Sequence, residues 1–311
     1  MWMRLQQCLS MMWIAVAFLT CGDAAATIRV IDPAATYPEG PLWFDGKLLY
    51  VEYAGPGIKV WDGRKVSTFW SHDGCGPSGL FAFRPDRIWV ACYDSNSLIE
   101  LDAKGRELRT IDKDGAGHAF IGPNDFAADG HGGMYFSASG VYDLAAPITG
   151  TVLHVAADGK TITQVADTIH YSNGLTLSKD GTHLLVAEGL AGRILSFPIE
   201  AEGRLGVRSV WARLRDLAPP TPHEDAFNGP DGLKLGPDGN YYIAQNGSGR
   251  VLVVNDAKAL VRIIEVPTPY VTNMSFGEGA TATTAGPRVF VTGSFDQAKP
   301  PYPGAVYLWT P

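Results

Sequence analysis

Six residues head similar stretches of this 311-residue chain: Glu39, Ser78, Asn124, Asn173, Asp231 and Asn273. Each brings a side-chain oxygen, and apolar residues follow it. Singly, each has a bland reading, since Asn-Gly and Asp-Gly are common turn dipeptides and an Asp can cap a strand end. Gathered at one place, two carboxylates and three amides describe a site for a hard cation. Ca2+ takes roughly six to eight oxygens at about 2.3 to 2.6 Å from carboxylates, amide carbonyls and water. Mg2+ and Mn2+ accept the same donors, whereas Zn2+ fits less well because no His/Cys cluster has zinc spacing. One such cation with open coordination acts as a Lewis acid toward a carbonyl or phosphoryl oxygen under attack.

Hydrolysis also needs a base or nucleophile. His72, His118, His170 and His223 each precede a heading residue by a few positions, and imidazole titrates near neutrality. His118 and His170 lead into Asn124 and Asn173, so these two, with His223 and a channel-facing Asn273, are the expected substrate contacts. Tolerant polar loops are the alternative explanation. Other catalytic signatures are missing. Ser78 has Gly76 before it but Leu80 after it, which is no nucleophile elbow. Glu224 beside His223 does not complete a His-Glu-x-x-His zinc pattern. The sequons at Asn246 and Asn273 are chance-level matches.

The elements that must position these residues are read from the repeat itself. NGLTLSKDGTHLLVAEGLAGRIL from Asn173 and DGLKLGPDGNYYIAQNGSGRVL from Asp231 are nearly interchangeable, and looser copies begin at Glu39, Ser78, Asn124 and Asn273. Within a copy, short alternating runs are separated by Gly-containing turns such as Asp180-Gly181 and Asp238-Gly239, the pattern of a β-meander. Units of about 40 to 58 residues made only of strands cannot bury both faces alone and must stack. The predicted fold is an all-β, six-bladed β-propeller spanning residues 27–311. In it the extended run Thr27–Ile31 completes the last blade with Gly304–Trp309. A ring brings the six heading residues to one axis.

Residues 1–26 stand apart. Arg4 precedes an apolar run, Met11 to Leu19, and Ala24-Ala25-Ala26 offers small residues for cleavage, so this segment is predicted to be a secretory signal peptide. The run is too short to span a bilayer comfortably, so the mature protein is expected to have no membrane span and to be periplasmic or secreted. A formal net charge of −7 without a basic stripe argues against a nucleic-acid partner. Export would leave Cys75 and Cys92 in an oxidising compartment. Hairpin register puts residues near Gly79 opposite Cys92, so Cys75 lies a few positions too far for an obvious bridge. Two small buried side chains are the competing reading.

The runs PEGPLW at Glu39, PND at Asn124, SNGLTLSKDG at Asn173 and GPDGLKLGPDG at Asp231 resemble the gluconolactonase, senescence-marker protein and luciferin-regenerating enzyme family of six-bladed propellers. The stretch from Gly132 to Val254 is similar in particular to the drug-responsive lactonases of staphylococci. The resemblance implies that Glu39, Asn173 and Asp231 hold a divalent cation. It leaves Asn124 as a ligand to metal or substrate. It implies Asp231 as base or nucleophile, with Glu39 as the alternative, although a cation depresses a carboxylate's pKa and weakens it as a base. Two departures leave the substrate open. Gly122 stands where the animal sugar-lactonases carry an Arg, and Tyr135-Phe136-Ser137-Ala138-Ser139 stands where many bacterial members read YFTD. The expected function is an exported, Ca2+-dependent lactonase acting on a small lactone or ester, as a monomer or small homo-oligomer. A non-enzymatic binding propeller is the main alternative. A phosphotriesterase-like or strictosidine-synthase-like activity is another.

Overall fold

The computed structural model describes residues 26–55, 57–221, 228–277 and 287–311. Residues 1–25 of the predicted signal segment, and His223, lie outside the described residues. The regular secondary structure of the described residues is almost entirely strand. β1 (Thr27–Asp32) leads into four separate antiparallel sheets of four strands. The first holds β2 (Pro38–Phe44), β3 (Lys47–Glu52), β4 (Gly57–Trp61) and β5 (Val66–Ser71). The second holds β6 (Pro77–Arg84), β7 (Arg87–Cys92), β8 (Ser97–Asp102) and β9 (Glu107–Ile111). The third holds β10 (Pro123–Ala128), β11 (Met134–Ala138), β12 (Gly150–Val155) and β13 (Ile162–Ile169). The fourth holds β14 (Ser172–Leu177), β15 (His183–Glu188), β16 (Arg193–Pro198) and β17 (Ser209–Arg213), followed by a four-residue helix, α1 (Leu214–Leu217).

The remaining strands form one larger sheet. It holds β18 (Gly229–Leu235), β19 (Tyr241–Asn246), β20 (Arg250–Val254), β21 (Leu260–Glu265), β22 (Tyr270–Phe276), β23 (Val289–Ser294) and β24 (Gly304–Thr310). Here β19 meets β22 through the single pair Asn246 and Tyr270. β1 runs antiparallel to β24, with Ile28 opposite Trp309. The architecture is a propeller-like all-β fold. First strands lie side by side: β2 with β6, β6 with β10, β10 with β14, β14 with β18, β18 with β22 and β22 with β2.

The reason for stacking is visible in the alternation of a single strand. On β7, Val90 packs toward Leu49 and Ile58 of the first sheet. Its neighbours Trp89 and Ala91 pack the other way, with Phe126, Phe136 and Leu153 of the third sheet. A strand with period-two side chains and both faces buried needs a sheet on each side. Each fully buried Leu, Ile or Phe contributes about 1.5 to 3 kcal/mol, so the cores between sheets hold the ring of first strands in place.

Cys75 and Cys92 form a disulfide, and the sequence register understated their proximity. Pairing along β6 and β7 puts Pro77 opposite Cys92, with a register break between Pro77 and Gly79. The chain before Pro77 then folds back, and the backbone N–H of Asp94 donates to the Cys75 carbonyl at 3.1 Å. A turn that a straight hairpin extrapolation does not contain closes the gap.

Candidate active site

In the first strand of every repeat, pairing with the second strand breaks at the heading residue. The breaks fall between Glu39 and Leu42, Pro77 and Gly79, Pro123 and Phe126, Ser172 and Leu175, Pro230 and Leu233, and Val271 and Asn273. A bulge adds local twist and re-aims side chains, so consecutive residues can both face inward. Asn173-Gly174 and Asp231-Gly232 therefore lie inside strands and are not turns. Glycine has a packing reason there: a Cβ on Gly174 would sit 2.3 Å from the Leu233 backbone nitrogen, and one on Gly79 would sit 2.1 Å from the Asn124 carbonyl oxygen. Neighbouring first strands approach backbone to backbone.

This packing opens a cavity of about 310 Å³ whose walls include Glu39, Ser78, Asn124, Asn173 and Asp231. Five of the six heading residues thus share one space. A collar of tyrosines stands above them: Tyr37, Tyr53, Tyr93, Tyr142, Tyr171 and Tyr302. Successive rings touch, with centroids 5.3 Å apart for Tyr37 and Tyr53, 6.0 Å for Tyr53 and Tyr93, and 4.7 Å for Tyr142 and Tyr171. No Lys, Arg or His is among the described lining residues.

Position 122 shows how the collar replaces a side chain. Two residues before the heading residue the backbone is left-handed in four repeats, with φ of 47° at Tyr37, 55° at Gly76, 61° at Gly122 and 66° at Tyr171. Glycine holds this conformation freely, whereas other residues pay about 1 to 2 kcal/mol. A Cβ on Gly122 would fall 2.6 Å from the Tyr93 ring. The space that a side chain at 122 would need is filled by Tyr93, whose hydroxyl donates to the Gly140 carbonyl at 2.9 Å.

The polar floor is buried. Glu39 and Asp231 are each 7 % exposed, and Asn173 is 6 %. Burial, reinforced by the negative field of Asp231, holds the Glu39 carboxyl well above the usual range. Burial also pushes Asp231 up to about 7, while hydrogen bonds from Asn246 and Asn173 pull it down and the charge of Asp125 pushes it further up. Asn246 Nδ2 donates to Asp231 Oδ2 at 2.9 Å. Tyr37 remains a phenol, held well above its ordinary value by burial and by the charges of Asp231 and Glu39.

These atoms fit a hard cation. Asn173 Oδ1 and Asn246 Oδ1 are buried acceptors without a hydrogen-bond partner, and a buried acceptor without a partner costs about 1 to 3 kcal/mol. Two such amide oxygens beside two carboxylates form an all-oxygen donor set. Among the described residues no group of three or more His, Cys, Asp or Glu is placed to hold a metal, so the cluster here is a mixed carboxylate and amide one. Asn246 was missed in the sequence. Its one signal is its place at the end of β19, directly opposite Gly229 and two residues from Asp231.

Three other expected contacts lie elsewhere. His118 does not line the cavity; it sits in an exposed turn with Nδ1 3.1 Å from Asp114 Oδ2. His170 does not line it either; its backbone N–H donates to Glu188 Oε1 at 2.8 Å. The His118 side chain turns outward into solvent, whereas the His170 ring is partly buried, with its Nε2 enclosed and without a hydrogen-bond partner. Asn273 lies beneath the floor, where its Nδ2 donates to Glu39 Oε2 at 3.5 Å and to Asp125 Oδ2 at 3.3 Å. Asp125 in turn meets Lys234, with Nζ 2.8 Å from Oδ2. Neither Asp125 nor Lys234 stood out in the sequence.

Residues 37–285 match the SMP-30/Gluconolactonase/LRE-like region. Lactonase drp35 of Staphylococcus aureus strain MW2 is 31 % identical over 192 residues, 60 % of this chain and 55 % of that protein. The chain thus matches little more than half the length of that relative. Among solved structures, a gluconolactonase from Xanthomonas campestris superposes with a TM-score of 0.71 at 21 % identity, covering 91 % of this chain and 89 % of the other. A calcium-binding protein, regucalcin, from Agrobacterium tumefaciens superposes with a TM-score of 0.67 at 19 % identity, over 91 % of this chain and 93 % of the other. At such identities the structural likeness speaks for the fold.

Proposed function

The chain belongs to the SMP-30/gluconolactonase/LRE-like family, and from that premise we propose that it is an exported, cation-dependent lactonase built as a six-bladed propeller. The observation that carries the site is the pair of buried amide oxygens on Asn173 and Asn246, without partners, beside the carboxylates of Glu39 and Asp231. Six blades are supported by the side-by-side contacts of first strands, which run from β2 through β22 and back to β2. Closure by the N-terminal strand is supported by the pairing of β1 with β24. Export is supported by the signal-like residues 1–26 and by the Cys75–Cys92 disulfide, since such bonds persist in oxidising compartments. Among the described residues no helix is long and apolar enough to cross a membrane.

Glu39, Asn173 and Asp231, with Asn124 and the free Oδ1 of Asn246 on the same floor, would hold the cation, and Ca2+ suits the donor set best. A bound divalent cation stabilises the negative charge that grows on a carbonyl oxygen under attack. Asp231 takes the proton of the attacking water as its oxygen bonds to the lactone carbon. The ring carbon–oxygen bond then breaks, and Asp231 returns the proton to the departing ring oxygen, giving a hydroxy acid. Asn246 fixes the carboxylate through Oδ2, and the tyrosine collar borders the substrate.

The test is metal analysis of the purified protein, followed by hydrolysis of a lactone panel with and without chelator. Stoichiometric Ca2+ and chelator-sensitive turnover are expected; a protein that hydrolyses lactones equally well in chelator contradicts the reading. The collar makes a separate prediction. Tyr37→Gly relieves a left-handed φ worth about 1 to 2 kcal/mol but loses ring packing worth about 3 to 5 kcal/mol, so urea unfolding should show a net loss of roughly 1 to 4 kcal/mol. KM for the best lactone should rise severalfold, and an unchanged KM removes Tyr37 from substrate contact.

A further inference from the structure

Beneath the cavity floor the three N–H groups of Lys234 are all used. Nζ donates to Asp125 Oδ1 at 2.9 Å, to Asp125 Oδ2 at 2.8 Å and to the Phe126 carbonyl at 3.3 Å. An ammonium has three donors, so this oxygen nest saturates it. Asp125 is 1 % exposed. Asn273 reaches from Asp125 to Glu39, and the charge of Asp125 is felt at both Glu39 and Asp231. Three buried carboxylates from β2, β10 and β18 therefore converge, and Lys234 is the cation set against them among the described residues. Ionised, Glu39, Asp125 and Asp231 carry three negative charges, Lys234 returns one, and the remaining two equal the charge of one divalent cation. A buried ion pair is a weak source of stability, because desolvation offsets the attraction. Its usefulness lies in what it does to its neighbours.

We infer that Lys234 is a tethered cation that sets the affinity of the floor above it: it is a positioning residue, neutralising Asp125 so that the site takes one divalent ion and binds it reversibly. This rests on the cation reading of Glu39, Asn173 and Asp231. Removing Lys234 leaves a third uncompensated carboxylate and should tighten Ca2+ binding. Removing the charge of Asp125 instead leaves Lys234 facing the site and should weaken it. Opposite signs from two neighbouring substitutions distinguish electrostatic tuning from a structural role, which would weaken binding in both.

The experiment is calorimetric titration with Ca2+ of the full chain and of Lys234→Met, Asp125→Asn and the double variant, with thermal melting in chelator alongside. Lys234→Met should bind Ca2+ tighter and Asp125→Asn weaker, each by on the order of tenfold. The double variant, electrically neutral at this position, should return to within about threefold of the unsubstituted chain. Should Lys234→Met fail to fold, weakening in Asp125→Asn together with recovery in the double variant still carries the inference. Binding in the unsubstituted chain with no opposite shift between the variants overturns the role of Lys234 alone. An unsubstituted chain that binds no Ca2+ overturns the cation reading and the inference together.

Discussion

Asp231→Asn should cut lactone turnover by roughly 10³-fold, the usual range for loss of a positioned base, and leave the fold intact. The substitution is nearly isosteric. Its new amide oxygen can still accept the hydrogen bond that Asn246 now donates to Asp231 at 2.9 Å. What disappears is the charge and the ability to take a proton from water. Stability should not fall with activity, because Asp231 is a buried carboxyl lifted to about 7 by desolvation. In chelator at pH 8 the variant should melt at or above the temperature of the unsubstituted chain, since it no longer buries an uncompensated charge. Turnover and melting measured on the same preparation check both halves. Unchanged turnover removes Asp231 from the chemistry, and a collapsed melting temperature identifies it as a structural residue.

The second large effect is the dependence of cation binding on pH. Without a cation, burial raises both Glu39 and Asp231, the latter to about 7. Below that pH a cation must displace a proton, so its apparent affinity should fall about tenfold per pH unit if one proton is released. Stability of the chelated protein runs the same chemistry in the other direction. A carboxyl whose folded pKa lies above its unfolded value contributes stability that is fully present below the unfolded value and is lost as pH rises through the folded one. For Asp231, moving from 3.8 to about 7, that loss amounts to roughly 4 kcal/mol between pH 4 and pH 8. Urea unfolding in chelator should therefore show a weaker protein at pH 8 than at pH 5, and added Ca2+ should reverse the trend. A flat profile in chelator would mean that the two carboxyls titrate normally and that the floor is wetter than its burial indicates.

Several parts of the site were legible because the repeat is a ruler. Matching the copies aligned Glu39, Ser78, Asn124, Asn173 and Asp231, and these five do share one cavity. The sixth, Asn273, kept its place on a first strand, but the break between Val271 and Asn273 sets it below the floor, against Glu39 and Asp125. The histidines misled because short distance along the chain to a heading residue was taken for proximity in space. Asp114 holds His118 in a turn of its own, and no strand periodicity constrains such a loop. The bridge between Cys75 and Cys92 was read as a stretch for a similar reason: hairpin register extrapolates along a straight strand, and the chain bends at Pro77.

By itself the sequence determined the all-β meanders and the shared position of the five oxygen-bearing residues that line one cavity, because alternation, Gly-containing turns and repeat length are local properties that each copy states again. Only the tertiary structure decided what surrounds those residues. Tyr93 fills the space beside Gly122 from a neighbouring sheet. Asn246 turns to Asp231 across a strand pair, and Lys234 crosses from β18 to Asp125 on β10, strands that are not adjacent in their sheets. These contacts join residues that no period relates. They arise where bulges and backbone close approach let several first strands converge, so they depend on how the sheets are packed around the axis.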